Sequence, residues 1–353
     1  MIKKQIMSKY QIWEEINNQE YVIISSAKKI LESKKYLLDI FNYYKNIFFI
    51  GCGSSYHIGL TVNHIFKEFL SYNSICIPSS DFILYPNLFL KKKSLYVLIS
   101  RTGMTTETFI AAQILKKNNK KTISITTSSN SDMSRESSFS IALTEANEQS
   151  ITATKSTSAT LASLITLILM IANRYDLIND ITAISDKYSK NFSYITKFIK
   201  KIINQKDYNK FIFLGSGPTY GIAKEADLKV KEMSLSDTYS CRTLEFRHGH
   251  KAIVNKKTLS VLFLSCNSLD YEIRTIKDLY EIGSTVLLII DNENTLKKID
   301  KIYKYAINLN LEEENILKPI FLLPIGQLIG YYQAIKKGID PTNPKNLSYS
   351  VTF

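Results

Sequence analysis

The sequence predicts an α/β protein with two tandem doubly wound parallel sheets, each in a three-layer α/β/α arrangement, after a short N-terminal helical segment. Three observations predict this fold. Short apolar runs alternate with helical patterns, as in parallel sheets covered by helices. The order of these segments occurs twice, and each occurrence opens with an apolar run followed by Gly-x-Gly. The length of 353 residues corresponds to about two domains.

The internal repeat defines the elements of each half. GCGSSYHI (51–58) and GSGPTYGI (215–222) stand at corresponding positions, and each follows an apolar strand, at 47–50 and 211–214. Further strands are predicted at 95–100, 122–126 and 138–143, then at 260–265, 285–290 and 305–309. Helices are predicted at 105–117 and 154–174, then at 269–282 and 318–338. The predicted divisions are a helical segment 1–44, a first domain 45–175, a helical linker 176–205, a second domain 206–340 and a tail 341–353.

Composition and charge favour a cytoplasmic protein. The net charge of +13 is spread along the chain without a nucleic-acid-binding motif, so no nucleic-acid partner is expected. Cys52, Cys76, Cys241 and Cys266 form no CxxC pair, which predicts reduced thiols and no metal site. The N-terminus lacks the apolar core of a signal peptide. The apolar helical stretch 159–172 is shorter than the roughly 20 residues of a membrane span, so no membrane partner is expected.

Ligands of doubly wound sheets bind at the carboxyl ends of the strands, where the first Gly-x-Gly segment lies. The segment begins like a dinucleotide-binding fingerprint, but the third Gly is missing. It is either a plain strand-to-helix turn or an anion-binding loop. In the second case backbone N–H groups and the hydroxyls of Ser54 and Ser55 are the donors.

The segment SRTGMTTET (100–108) is more informative. A strand ends there in a hydroxyl, an Arg, a hydroxyl and a Gly, and a helix then starts at Thr residues. Ser100, Arg101, Thr102 and Thr105 suit the oxygens of a phosphate monoester. The alternative is that the hydroxyls cap the helix. No Walker A pattern is present, so cleavage of nucleoside triphosphates is not expected.

Three ionisable residues of the second half could move protons. Lys229 and Glu232 are three residues apart and share a helix face, as a surface ion pair would. His248 lies beside an Arg in LEFRHG (244–249) and could be structural. Together with a phosphate loop, however, a Glu and a His can do proton chemistry on a sugar phosphate. The carboxylate moves a proton next to a carbonyl, and the His assists ring opening.

These segments resemble the sugar isomerase (SIS) family over nearly the whole chain. Within it, the sequence is similar to the isomerase half of glutamine–fructose-6-phosphate aminotransferases and to free-standing glucosamine-6-phosphate deaminases. The matching motifs are GCGSSYHIG (51–59), SRTGMTTET (100–108), EQSITATKS (148–156), GSGPTYGIAKEADLKVKE (215–232), LEFRHG (244–249) and DPTNPKNLSYSVTF (340–353), with YQIWEEINNQ (10–19) as the entry helix.

The resemblance implies a role for each candidate residue. The sugar phosphate would be held by Ser54, Ser55, Ser100, Arg101, Thr102 and Thr105. Glu232 would move the proton between C1 and C2, with Lys229 beside it. His248 would open the ring from the neighbouring subunit, which implies a homodimer with shared active sites and the C-terminal tail at the site. No cofactor or metal is implied.

Departures from the aminotransferase pattern favour a different reaction. No glutaminase domain fits the sequence, so glutamine could supply ammonia only through a separate partner. Tyr349 stands where the family has a Lys, and Ala153 and His250 replace a Ser and a Pro. Arg101 and Met104 resemble the deaminases.

We therefore expect an amino-sugar phosphate deaminase/isomerase that converts glucosamine 6-phosphate to fructose 6-phosphate and ammonia, reversibly. A fructosamine-6-phosphate deglycase or a ketose/aldose phosphate isomerase is the alternative, since the family Lys is absent. A non-catalytic sugar-phosphate sensor is less favoured, because such regulators usually carry a helix-turn-helix domain and one SIS unit.

Overall fold

The computed structural model describes residues 10–265, 268–299, 303–312 and 315–352. It divides into two compact units. The first takes the chain up to Asp186 together with the tail from Asn346, and the second comprises Lys187–Lys345. In these ranges no helix has the length and apolar character that a membrane span requires.

The first unit begins with three helices and continues into a five-stranded parallel sheet. The helices are α1 Gln11–Asn17, α2 Gln19–Glu32 and α3 Lys34–Tyr43. The strands are β1 Asn46–Gly51, β2 Asn73–Pro78, β3 Ser94–Ile99, β4 Lys121–Thr126 and β5 Phe139–Ala142. They lie in the order β2-β1-β3-β4-β5. The remaining helices are α4 Ser54–Phe69, α5 Ser79–Leu84, α6 Pro86–Phe89, α7 Thr106–Lys117, α8 Asp132–Glu136, α9 Lys155–Ile171 and α10 Tyr175–Thr182.

The second unit contains another five-stranded parallel sheet. Its strands are β6 Lys210–Gly215, β7 Asp237–Cys241, β8 Thr258–Phe263, β9 Thr285–Ile290 and β10 Tyr305–Asn308. Their order is β10-β9-β8-β6-β7. Read from the β7 edge, the strands occur in the same order as in the first sheet: second, first, third, fourth and fifth strand of the unit. Its helices are α11 Ser185–Gln205, α12 Thr219–Ser234, α13 Leu269–Ile282, α14 Glu293–Lys298 and α15 Lys318–Lys337.

Helices cover both faces of the first sheet. Side chains along a strand alternate between its faces. Phe48 of β1 belongs to a cluster with Phe82 of α5 and Ala111 of α7. Phe49 points the other way, and its ring centroid lies 5.6 Å from that of Phe66 on α4. The central strand β3 is therefore buried along its whole length, as strands of covered parallel sheets are.

In the second unit α12 and α15 pack with their backbones in close contact. A Cβ on Gly326 of α15 would lie 2.4 Å from the Cα of Ala226 on α12. A Cβ on Gly330 would lie 2.9 Å from the carbonyl oxygen of Lys229. Both glycines are therefore needed for this close approach, which sets the position of the face that carries Lys229.

The predicted α/β fold with parallel sheets is confirmed, but the prediction missed the edge strands β2 and β7. Exposed positions interrupt the apolar pattern of these two strands, and Ile75 in β2 is 48% exposed. The predicted helix 154–174 ends at Ile171. Cys52, Cys76 and Cys241 are free thiols, while Cys266 and residues 1–9 lie outside the described residues.

Candidate functional site

The hydroxyl groups of the loop after β3 lie close to one another and to the backbone of the loop. Ser100 Oγ accepts a hydrogen bond from Gly103 N at 3.1 Å and lies 3.2 Å from Thr105 Oγ1. Gly103 has φ +66°, and a Cβ there would lie 2.1 Å from Ser131 Oγ. Thr105 is the N-cap of α7, but its side chain makes no capping hydrogen bond. The capping interpretation is therefore wrong for Thr105, whose hydroxyl faces Ser100 instead.

A small cavity lies beside this loop at the carboxyl end of β1. It is partly open to solvent, and the space that it encloses is about 20 Å³. Of the predicted phosphate-binding residues, Ser54, Ser55 and Arg101 line it. Its other walls are formed by Ile58, Ala153, Ser156, Thr157 and Thr160. Ser100, Thr102 and Thr105 lie in the adjoining loop and are not among the lining residues.

The guanidinium of Arg101 is held by backbone carbonyl groups. Its Nη1 donates to Ser150 O at 3.2 Å and to Ile151 O at 2.9 Å, and lies 3.5 Å from Glu148 Oε1. Its Nη2 donates to the carbonyl oxygen of Tyr349. These contacts fix the direction of the side chain at the edge of the cavity.

Glu148 joins this cluster to the first turn of α9. It is buried and accepts hydrogen bonds from Thr154 N at 3.0 Å, from Lys155 N at 3.1 Å and from Ser156 Oγ. Burial raises the pKa of Glu148, and the nearby Arg101 guanidinium opposes that effect. The start of α9, which forms one wall of the cavity, is thus tied to the same carboxylate as Arg101.

Tyr349 packs directly on Arg101. Its ring centroid lies 4.2 Å from Arg101 Cζ, and its hydroxyl donates to Glu148 O at 2.6 Å. Burial raises the pKa of Tyr349, so the hydroxyl stays a neutral donor. The residue that replaces the family Lys therefore contacts the guanidinium and the Glu148 backbone.

The tail also contacts the loop after β3. Ser350 Oγ lies 3.2 Å from Thr102 Oγ1, and Thr102 Oγ1 accepts from Met104 N at 3.1 Å. Val351 O accepts from Thr106 N at 3.2 Å. Residues 349–351 therefore lie against the hydroxyl-rich loop of the first unit.

In the second unit Lys229 and Glu232 form a close ion pair on α12. Lys229 Nζ lies 2.6 Å from Glu232 Oε2 and 3.4 Å from Glu225 Oε1. Lys229 is 1% exposed, so the surface-pair interpretation is wrong. Glu232 is partly exposed and Glu225 is buried. Lys229 thus compensates the negative charge of the buried Glu225 and also contacts Glu232, which solvent can reach.

His248 lies between two short turns of the second unit, Glu245–Arg247 and His250–Ile253. Its side chain is exposed and makes no hydrogen bond within the described part of the chain. The segment is fixed to α13, because Arg247 Nε and Lys251 Nζ lie 2.9 and 3.0 Å from Asp278 Oδ2. The His248 side chain thus makes no hydrogen bond to the described residues that would indicate a purely structural role.

The structure therefore places the predicted phosphate-binding residues in the first unit, and Lys229, Glu232 and His248 in the second. Their roles stay predictions. Sequence reasoning did not single out Glu148, although Glu148 is the first residue of the motif EQSITATKS (148–156). It also did not single out Ser156 and Thr157 in the cavity wall. Among the described residues no group of three His, Cys, Asp or Glu side chains could hold a metal ion.

Comparison with known proteins identifies the family. Residues 40–170 match the family model described as SIS domain. The chain is 31% identical to glucosamine-6-phosphate deaminase from Thermotoga maritima, with 93% of this chain and 100% of that chain covered and a TM-score of 0.74. The chain belongs to the SIS family.

Two further relatives of this SIS protein are more distant. Glutamine–fructose-6-phosphate aminotransferase from Caldanaerobacter subterraneus is 27% identical over 361 residues, which cover 96% of this chain. The chain spans 58% of the length of that enzyme, and 51–60% of the next two aminotransferases. Tagatose-6-phosphate ketose/aldose isomerase from Escherichia coli has a TM-score of 0.84 at 20% identity, with 96% of this chain and 95% of that chain covered, and shares the fold.

Proposed function

We propose that this SIS-family protein is a glucosamine-6-phosphate deaminase/isomerase. It would convert glucosamine 6-phosphate and water to fructose 6-phosphate and ammonia, and run in reverse when ammonia is abundant. The observation that carries the proposal is the cavity lined by Ser54, Ser55 and Arg101 beside the loop 100–105. It occurs in a chain that is 31% identical to such a deaminase along that enzyme's whole length.

The cavity offers what a phosphate monoester needs. The hydroxyls of Ser54 and Ser55 stand at the start of α4, where the helix dipole favours an anion. Arg101 supplies a fixed positive charge at the other side. Thr102 and Thr105 add hydroxyls from the adjoining loop. The proposed phosphate lies among these groups.

In the proposed reaction Glu232 is the proton carrier. Once the sugar ring is open, the carboxylate takes the proton from C2 and an enolamine forms. The same group returns a proton to C1, which leaves an imine at C2. Water hydrolyses that imine, and ammonia leaves. Lys229, 2.6 Å away, keeps Glu232 oriented, and His248 assists ring opening.

The proposal also includes a homodimer with shared active sites and two SIS-type units in each chain. The equal strand order of the two sheets supports the two SIS-type units. The exposed position of His248 supports the shared active sites, because the ring can reach a site on another subunit.

The test is to measure ammonia and fructose 6-phosphate released from glucosamine 6-phosphate. We expect release by the wild type and a loss of kcat of about 10³-fold in Glu232→Gln. Glu281→Gln removes an exposed carboxylate of the same unit and should leave the rate unchanged. No release by the wild type, or equal rates in the two variants, would contradict the proposal.

A ketose/aldose isomerase or a fructosamine-6-phosphate deglycase is the second candidate. It is favoured by Tyr349, which takes the place of the Lys that the family resemblance predicts and whose hydroxyl donates to Glu148 O. Competition among purified sugar phosphates separates the candidates. The deaminase proposal requires the highest kcat/KM for glucosamine 6-phosphate. A higher value for a fructosamine 6-phosphate or a neutral ketose phosphate would support the second candidate.

A further inference from the structure

Glu15 is a buried carboxylate outside the proposed machinery. It lies on α1 and is 3% exposed. Its Oε1 accepts hydrogen bonds from Gln149 N at 2.6 Å and from Ser150 N at 3.3 Å. Its Oε2 makes no hydrogen bond within the described ranges. Burial of a carboxylate is unfavourable without such bonds, so the two backbone amides determine where Glu15 can lie.

The same loop binds Arg101 through its carbonyl groups. Ser150 O and Ile151 O accept from Arg101 Nη1 at 3.2 and 2.9 Å. The loop therefore presents N–H groups to a negative charge and C=O groups to a positive charge. The N–H and C=O groups belong to consecutive peptide units of one short segment, and the low dielectric constant of a buried site strengthens each of these charge-assisted hydrogen bonds. Glu15 and Arg101 are thus linked through the peptide groups of residues 149–151.

Arg101 is the group in this chain of contacts that reaches the cavity. Its guanidinium direction depends on the carbonyl groups of the loop, and the position of the loop depends on Glu15. Loss of the Glu15 hydrogen bonds would leave the N–H groups of Gln149 and Ser150 without these acceptors, and the loop would move to satisfy the buried Ser150 N–H group. Arg101 would then lose its fixed direction.

We propose that Glu15 is a positioning residue of the phosphate site. It holds the loop 149–151, the loop holds Arg101, and Arg101 sets the affinity for the phosphate group of the substrate. Glu15 itself touches no substrate. The inference rests on the proposed function in one respect, the identification of the cavity ligand as a phosphate monoester.

The first test measures binding by isothermal titration calorimetry, with inorganic phosphate and glucosamine 6-phosphate as probes and the full chain as the receptor. Glu15→Gln should weaken both affinities about tenfold, because its amide oxygen can still accept the two hydrogen bonds but lacks the negative charge that strengthens them. Its KM for glucosamine 6-phosphate should rise by the same factor, with kcat within about twofold of wild type. Glu14→Gln is the matched control, since Glu14 is the exposed neighbour on α1. Equal affinities in the two variants would overturn the inference.

The second test separates positioning from general stability. Residues that act through one another are not additive in a double-mutant cycle. Arg101→Gln should weaken phosphate binding, and adding Glu15→Gln to it should cause no further loss. Additive losses would show that Glu15 does not act through Arg101 and would overturn the inference.

Glu15→Asp serves if Glu15→Gln does not fold. It keeps the charge but shortens the side chain, so we expect weaker binding than in wild type and the same lack of additivity with Arg101→Gln. Wild-type affinity in Glu15→Asp would overturn the inference. The outcomes for the proposed function are distinct. A wild type whose phosphate affinity depends on Glu15 but which releases no ammonia would contradict only the deaminase reaction.

Discussion

At the level of single residues, Lys229 has the contact with the largest expected effect on stability. Its ammonium group is buried and lies close to the carboxylates of Glu232 and Glu225. We predict that Lys229→Met lowers the free energy of unfolding by about 3 kcal/mol, because the buried Glu225 and the partly exposed Glu232 lose their cation. Urea denaturation of the purified variant measures this change.

Lys231→Met is the control for Lys229→Met. The Lys231 side chain is 53% exposed and its Nζ lies 3.4 Å from Asp227 Oδ1. An exposed pair of this kind contributes at most about 1 kcal/mol, so we expect a small change. Equal losses in the two variants would show that the burial of Lys229 has no energetic effect.

Gly103 is the second residue with a definite expected effect. Both its φ of +66° and the proximity of Ser131 exclude a side chain. Gly103→Ala should therefore destabilise the protein by more than the roughly 1 kcal/mol of a left-handed alanine alone, and weaken phosphate binding. Gly338→Ala is the control, since Gly338 has φ +70° and no atom within 4 Å of the added Cβ. Thermal unfolding of both variants compares them, and a smaller loss for Gly103→Ala would contradict the prediction.

The sequence predicted the loop residues better than their contacts. Ser100, Arg101 and Thr102 are adjacent in one segment, and their grouping needs only a strand followed by a helix. The bond from Gln149 to Glu15 and the stacking of Tyr349 on Arg101 join distant parts of the chain. Such contacts depend on tertiary packing, which local patterns do not contain.

At the level of elements, the segment that carries His248 is fastened to α13 through Asp278. Burial of Asp278 opposes ionisation, but Arg247 and Lys251 outweigh it, so the pKa of Asp278 is lowered. A carboxyl group whose pKa is lower in the folded than in the unfolded protein stabilises the fold at pH values above its unfolded-state pKa. This contribution is lost as the pH falls through the pKa of the folded state. We therefore predict that Asp278→Asn destabilises the protein by about 1 kcal/mol at pH 7 and progressively less below about pH 4.

Hydrogen exchange of the amides at 245–253 gives a local measurement of the same contact. Exchange should be faster in Asp278→Asn than in wild type. Asp270→Asn makes the same change at an exposed site of α13 and should leave these amides unaffected. Unchanged exchange in Asp278→Asn would show that other contacts hold the segment.

The elements also show where apolar patterns are sufficient. β3 and β8 are buried along their whole length, and their continuous apolar runs predicted them. β7 begins with the exposed Asp237 and contains partly exposed residues, so its sequence does not differ from that of a loop. Only its pairing with β6 makes it a strand. The edge strands β2 and β7 are therefore the strands of this fold that sequence patterns predict least well, whereas the edge strands β5 and β10 were predicted.

At the level of the whole molecule, the proposed homodimer places Glu232 of one subunit with His248 of its partner. The exposed His248 ring, without a hydrogen bond in the described structure, is free to serve a neighbouring site. A Glu232→Gln chain keeps a working His248, and a His248→Asn chain keeps a working Glu232. A dimer of one chain of each kind would then contain one complete site and one site that lacks both groups.

We predict that an equal mixture of the two inactive variants, refolded together, recovers about a quarter of the wild-type activity. Half of the dimers formed at random contain one chain of each kind, and half of the sites in those dimers are complete. Ammonia release from glucosamine 6-phosphate measures the recovery, and light scattering establishes the mass of the assembly. The double variant Glu232→Gln/His248→Asn mixed with wild type is the control. There the mixed dimers contain only sites with one group missing, so activity falls to about a quarter as well. If both groups came from the same chain, the first mixture would stay inactive and the control would retain half of the activity, which would contradict the shared site.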